Sequence, residues 1–274
     1  MNILFRLIKP ALMIAFIIAG TAVSLQAQTG WLYPLSERGI SLEIFKGDFS
    51  RDYDFTFATS NMFLTGHFPV SDALSIIFEL PYSHVDRKNS DFDSQNLLGN
   101  PYIGIKSSPL SSGTIFSAGM RVPMAPDNRL GASETGIIVS FNRFEAFIPD
   151  LFTIGASIGG RSISPDNIIF ESMIGPTMLM PTEGGDGELY IDYRGELWIK
   201  TKTVDFGFGL SGRYLLTESD LSFGERTVHI MGFAVNLSTG RLQPGIHFRA
   251  PLDDDLQDVL DFVYGINFAY RFED

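Results

Sequence analysis

The residues that could do chemistry are few. The chain has no cysteine, so a disulfide scaffold, a thiolate zinc site and a cysteine nucleophile are excluded. Its four histidines are His67, His84, His229 and His247. An ester hydrolase needs a serine with a histidine base in reach, and a peptide hydrolase of the carboxylate type needs a histidine among acidic partners. Ser83, His84 and Asp86 come nearest. In an extended chain, neighbouring residues point to opposite faces, so Ser83 and His84 do not readily meet. His84 therefore reads as a histidine near a membrane interface, and no catalytic residue is assigned. Asp253, Asp254, Asp255, Asp258 and Asp261, and separately Asp86, Asp91 and Asp93, offer the oxygen ligands that calcium takes. Neither set has the spacing and turn glycine of a calcium loop, so both read as solvated loop charge and no metal site is assigned. Gly159-Gly160 and Gly185-Asp186-Gly187 mark turns or close approaches. No phosphate-cradling glycine pattern leads from a strand into a helix, and no cofactor is expected.

The remaining charges recur at every second position of apolar stretches, so the elements that position them come next. In 260–272, Phe262, Tyr264, Ile266, Phe268, Tyr270 and Phe272 share one face, and Val263, Gly265, Asn267, Ala269 and Arg271 share the other. In 188–200, Leu189, Ile191, Tyr193, Leu197 and Ile199 alternate with Asp192, Arg194, Glu196 and Lys200. The stretches 73–84, 204–216 and 242–251 repeat the pattern. Charges keep landing beside glycines and serines. An apolar core could not absorb them, because an unpaired buried charge costs several kcal/mol. A wet lumen can, with the apolar face turned to lipid.

Composition agrees. The 274 residues include 27 Gly and 24 Phe, 45% are hydrophobic, and the net charge is −12. Disorder is excluded by the apolar and aromatic content. A nucleic-acid partner is excluded by the acidic balance, since nothing would neutralise phosphates. Residues 1–27 read as a secretory signal peptide, with Arg6 and Lys9 ahead of an uncharged run from Ala11 to Leu25 and cleavage near Ala27. Without it the chain holds 18 basic and 32 acidic residues. The organisation expected is a leader (1–27), a periplasmic segment (28–38) and a barrel (39–274). No later stretch is apolar for long enough to span a bilayer as a helix. Membrane residence therefore requires a closed barrel, the other fold that satisfies its backbone in lipid.

Thirteen stretches qualify as strands: 39–49, 55–69, 73–85, 99–108, 113–124, 135–146, 151–163, 167–180, 187–200, 203–216, 226–238, 241–251 and 260–272. Single-chain bacterial barrels use even numbers. Stretch 135–146 is the exception, because Ile137, Ile138, Phe141, Phe144, Phe147 and Ile148 recur at three- and four-residue spacing, a helical period. Ser133 with Glu134 is expected to cap this helix, and Pro149-Asp150 to end it. Twelve strands remain, in an all-β transmembrane antiparallel up-and-down barrel. The short connections then fall on the periplasmic side and the long acidic ones outside. The helix of 133–148, in the longest outer loop, must cover its apolar stripe on the barrel mouth or in the lumen. Ile137, Phe141, Phe144, Phe147 and Ile148 are the gate candidates.

Leu80-Pro81-Tyr82-Ser83-His84, Leu98-Gly99-Asn100-Pro101-Tyr102-Ile103-Gly104-Ile105-Lys106 and Arg121-Val122-Pro123 carry a resemblance, as do Arg143 to Asp150 and Tyr264 to Phe272. They are similar to the phenol-degradation meta-pathway family of outer-membrane barrels, with Asn100 where that family carries an aspartate. The resemblance implies transport of hydrophobic or aromatic small molecules. The expected function is an outer-membrane channel, with small solutes diffusing passively past an inward lining of Glu43, Glu79, Arg121, Arg161, Asp192, Arg194, Glu196, Arg213, Arg249 and Arg271. Its expected partners are outer-membrane lipid, the barrel-assembly machinery and the solute. A structural or adhesive barrel and an outer-membrane hydrolase are the alternatives.

Overall fold

The computed structural model describes residues 38–50, 55–71, 73–88, 93–107, 112–218, 220, 222–238 and 240–272. The leader and nearly all of 28–38 lie outside the described residues. Thirteen strand segments form the wall. They are β1 (Gly39–Phe49), β2 (Ser60–Ser71), β3 (Leu74–Val85), β4 (Gln95–Leu98), β5 (Tyr102–Ser107) and β6 (Gly113–Arg121). After a long connection come β7 (Leu151–Ile163), β8 (Ile168–Pro181), β9 (Glu188–Lys200) and β10 (Val204–Leu215). β11 (Thr227–Leu237), β12 (Leu242–Pro251) and β13 (Leu260–Arg271) complete it. Every pairing is antiparallel; consecutive strands pair, except that β5 pairs with β3 in place of β4, and β13 pairs with β1 in a register running from Gly39 opposite Arg271 to Phe49 opposite Leu260. The sheet closes on itself through the β1–β13 pairing.

β4 and β5 both pair with β3, so the thirteen segments make twelve staves. The break between them has a local cause. Two residues of β3, Leu80 and Pro81, face three on the other side, Gly99, Asn100 and Pro101, which is a bulge. Pro101 has no N–H for the ladder. Gly99 N–H still donates to Pro81 O at 3.0 Å.

The alternation read from the sequence sets the two faces. On β13, Phe268 is exposed while Asn267 and Ala269 are buried. Ile103, Ile158, Phe170, Ile174, Phe208, Phe233, Ile246, Phe248 and Ile266 join Phe268 in an exposed apolar outer surface. A surface of this kind is stable against hydrocarbon and not against water. No helix of the described residues is long and apolar enough to cross a membrane. All short turns gather at one end of the barrel and all long connections at the other.

The longest connection, 122–150, enters the bore. It holds helix α1 (Leu130–Val139) and a 3-10 turn (Phe141–Ala146). The segment is helical as expected, but its details differ. α1 starts at Leu130, ahead of Ser133, and the helix breaks at Ser140, with Arg143 well outside helical geometry (φ −139°). Ser133 caps nothing; it is buried, and its hydroxyl donates to Phe147 O at 2.7 Å. The apolar stripe is not the packed face either. Ile137, Phe141, Phe144 and Ile148 are half-buried, whereas Gly131, Ala132, Ser133, Thr135, Gly136 and Val139 are buried. A helix surrounded by wall on several sides needs small residues for close approach. A Cβ on Gly136 would lie 2.3 Å from Phe147 Cγ, and one on Gly99 would lie 2.2 Å from Ala146 O.

Candidate functional site

The site is the bore itself, and 122–150 is its plug. Wall residues supply the bonds that a free helix would lack at its ends. Gln95 Oε1 accepts from Gly131 N–H at 3.1 Å. Asn61 Nδ2 donates to Gly136 O at 3.1 Å and to Ser140 Oγ at 3.0 Å. Ser83 Oγ donates to Ala132 O at 2.6 Å. Asn100, in the bulge, is the main clamp. Its Nδ2 donates to Glu145 O (3.0 Å) and Ile148 O (2.7 Å), and its Oδ1 accepts from Met124 N–H (2.8 Å) and Ala125 N–H (2.9 Å). An amide can serve both sets at once; an aspartate in its place could not donate. Phe147 completes the docking by meeting Phe63 edge-on, 5.6 Å between ring centres, in an apolar cluster with Phe45, Val85, Leu97, Val139, Leu260 and Val263.

Below this cluster, the plug extends two charged side chains into a network from the wall. Arg143 donates to Glu79 Oε2 at 2.7 Å and to Glu43 Oε2 at 2.8 Å, with its guanidinium 3.6 Å from the centre of the Phe63 ring. Glu145 accepts from Arg213 at 2.9 Å and lies 3.7 Å from Arg121 Nε. Arg121 in turn reaches Glu79 at 2.6 Å, Arg213 reaches Asp192 at 2.6 Å, and Arg249 approaches Glu43 at 3.5 Å. Four guanidinium groups thus meet four carboxylates drawn from β1, β3, β6, β9, β10, β12 and the plug. The plug's arginine and glutamate bridge strands that do not touch one another. Burial alone would raise the pKa of Glu145, but Arg213 and Arg121 outweigh it and hold the carboxyl below the ordinary range. Glu43 and Glu79 likewise outweigh burial at Arg143 and keep it charged.

A second cluster lies nearer the short-turn end and involves wall residues alone. Glu171 accepts from Lys106 (3.0 Å), Arg161 (2.7 Å) and Arg194 (3.2 Å). Arg194 Nε is 3.7 Å from Glu196. Asp192, Arg194 and Glu196 follow one another on β9; Arg194 pairs along the strand with Glu196 in the second cluster, whereas Asp192 pairs across to Arg213 and belongs to the first. Between plug and wall, where the two clusters meet, lies a cavity open on one side and lined by Asp192 and Arg213 of the first cluster and Arg194 of the second. Phe141 and Asn142 of the plug line it together with residues of β7 to β11, among them Met173, Thr177, Arg194, Ser211 and Ile230.

Every residue expected to face the lumen lies on the buried side of its strand or half-buried there. Glu43, Glu79, Arg121, Arg161, Asp192, Glu196, Arg213 and Arg249 are buried, and Arg194 and Arg271 are half-buried. Lys106, Glu171, Arg143, Glu145, Asn61 and Asn100 were not singled out by their positions. Lys106 and Glu171 sit at alternating positions of strands and were open to the same inward reading. Arg143 and Glu145 sit in the loop, where period-2 alternation gives no facing.

The hydrolase constellation does not assemble. His84 Nδ1 meets Asn96 Oδ1 at 2.9 Å, Asp86 takes the Thr56 hydroxyl at 3.0 Å, and Ser83 is buried against the plug. A different relay forms on the outer face at the long-loop end. The Tyr193 hydroxyl lies 2.6 Å from His229 Nε2, and His229 Nδ1 lies 2.9 Å from Asp253 Oδ1. Asp253 also accepts from His229 N–H, so this set latches the β12–β13 connection onto the wall. Among the described residues no cluster of histidine and carboxylate groups could hold a metal ion.

No protein-family model matches the chain, and no curated protein matches it in sequence. Solved structures do match. An outer membrane channel from Pseudomonas putida F1 is similar with a TM-score of 0.58 and 11% identity, over 90% of this chain and 100% of that one. LpxR from Salmonella typhimurium is similar with a TM-score of 0.53 and 8% identity, over 85% of this chain and 100% of that one. At such identities the likeness is one of fold: this chain has the architecture of an outer-membrane β-barrel.

Proposed function

We propose that the protein is an outer-membrane channel for small solutes, closed by the plug 122–150 and opened by its displacement. In this reading the short turns face the periplasm and the long connections face outward. Lipid covers the apolar outer surface, and the assembly machinery of the outer membrane inserts the chain. The hydrophobic or aromatic solutes suggested by the motif resemblance suit the apolar side of the cavity.

The observation that carries the proposal is the charged bore. Replacing a buried ion network by well-packed apolar residues is often neutral or stabilising. A barrel with a purely structural role would gain nothing from eight ionised groups in its interior. A channel does, because the same groups are solvated and line a polar path once the plug leaves. The plug is also held largely by polar clamps and ion pairs, which water can replace, while its main apolar cluster lies against β1 to β4 and β13 and a lesser contact joins Phe144 to Tyr190.

Planar-bilayer recordings test this. Wild-type protein is expected to show infrequent, discrete openings, and Arg143→Met to show more frequent ones. Absence of conductance from both proteins, each verified as a folded barrel, would contradict the channel reading.

A further inference from the structure

The cavity under the plug has the makings of a binding site, and its charge inventory points to one class of ligand. In the adjoining cluster three cations, Lys106, Arg161 and Arg194, share two carboxylates, Glu171 and Glu196. Among these described groups the cations outnumber the carboxylates by one. Geometry places the shortfall at Arg194. Its contact with Glu171 is the longest of the three that carboxylate makes, and its second Nη2 neighbour is the Met173 sulfur at 3.0 Å, a weak acceptor. Its Nε is buried with no hydrogen-bond partner among the described residues, since 3.7 Å to Glu196 is beyond hydrogen-bond range. The Arg194 side chain is nine-tenths buried and lines the cavity. A buried cation that lacks a full set of acceptors is costly, and a bound anion would relieve it. The carboxylate that lines the cavity, Asp192, is already taken up by Arg213 at 2.6 Å and by the Thr177 hydroxyl.

The rest of the cavity is mainly apolar, with Phe141 of the plug facing Met173 and Ile230 of the wall. We propose that this cavity binds a small amphipathic monoanion, an aromatic or short-chain carboxylate. The carboxylate is taken by Arg194, and the apolar body lies between Phe141 and Met173. A single surplus charge fits one negative charge on the ligand, and a hydrated inorganic anion would leave the apolar walls uncovered. The idea deepens the channel reading by naming the solute class. Its test is a binding equilibrium, separate from conductance. A barrel that conducts but does not select the monoanion keeps the channel and loses the site; a barrel that binds it without conducting keeps the site and loses the channel.

The experiment is calorimetric titration of the refolded mature barrel in detergent micelles with benzoate, benzyl alcohol and inorganic phosphate. Benzoate is expected to bind roughly tenfold or more tightly than either of the others, and Arg194→Met to abolish that preference. This variant leaves two cations with two carboxylates, and Glu196, which loses Arg194 at 3.7 Å, keeps the Trp198 indole N–H at 3.3 Å, so the barrel is expected to keep its heat-modifiable gel mobility. Should it fail to fold, Ser211→Phe decides. Ser211 lies opposite Arg194 on the neighbouring strand and lines the cavity without joining the ion cluster. Filling the space from there should abolish benzoate binding. Equal affinity for benzoate and benzyl alcohol, tighter binding of phosphate, or undiminished benzoate binding in either folded variant would overturn the proposal.

Discussion

The two ion clusters inside the barrel are built from the same residue types and differ in three respects. The one around Arg143 and Glu145 is balanced, four cations to four carboxylates; it includes the plug, and Arg143, Arg121, Glu79 and Glu145 are fully buried. The one around Glu171 has three cations for two carboxylates among the described residues, involves wall strands alone, and is less completely buried; the cavity is lined by its Arg194 and by Asp192 and Arg213 of the first cluster. A balanced network neutralises its own charge, so its consequence is mechanical: it ties the plug to strands β1, β3, β6 and β10. An unbalanced one leaves a charge to be satisfied from outside, so its consequence is chemical. What differs is whether the carboxylates suffice, and that decides whether an arginine in a wet bore acts as a clamp or as a receptor.

The largest expected effect sharpens this contrast. Arg143→Met leaves Glu43 and Glu79 short of a partner, and removing one member of a buried pair costs about 3–5 kcal/mol. The midpoint of heat-modified gel mobility should fall markedly for Arg143→Met and little for Arg194→Met. Equal losses would erase the distinction between the clusters. Next, Asn100→Leu removes two donors and an acceptor from plug backbone groups, at about 1–3 kcal/mol for each buried group left unsatisfied. Hydrogen exchange should show faster opening of Met124, Ala125 and the 3-10 turn, with strand amides unchanged; slowed or unaltered exchange would remove Asn100 from the clamp. A smaller effect is expected from Arg194→Glu, which turns the surplus positive charge negative. In a salt gradient the reversal potential should move toward cations, and an unchanged potential would mean that the second cluster does not face the permeation path.

The smallest effect is an absence of pH dependence. The folded pKa of Glu145 lies below its ordinary value, so its stabilisation is complete above the unfolded carboxylate pKa of about 4.3 and is lost as pH falls through the folded value. Open probability should therefore be flat from about pH 7 to about pH 5. Plug release within that interval would show that a group other than Glu145 controls it.

Much of this was legible in the sequence because a barrel strand has a period of two. Phe268 and Ala269 differ in facing for that reason alone, and the same rule places Glu79, Asp192 and Arg249 inside. The parity of the wall exposed 135–146 as helical, since its apolar residues keep a different period. The plug's internal structure was not legible. Helical spacing marked Ile137, Phe141 and Phe144 as the packed face, but in a narrow bore the small residues Ala132, Ser133 and Gly136 make the close contacts. Arg143 and Glu145 stand in irregular backbone, where no periodicity assigns a direction. Asn100 acquires its role from a one-residue bulge whose position depends on pairing with β3. Pairing between charges on β5 and β8, as for Lys106 and Glu171, depends on the curvature of the closed wall and not on spacing along the chain.

The central claim is that the plug, and not the wall, closes the bore. Excising 133–148 and bridging the ends with a short Gly-Ser linker tests it directly, because no strand pairing uses that segment. The deletion variant is expected to fold, shown by heat-modifiable mobility, and to have single-channel conductance well above that of wild type. Failure to assemble, or a folded barrel with unchanged conductance, would contradict it.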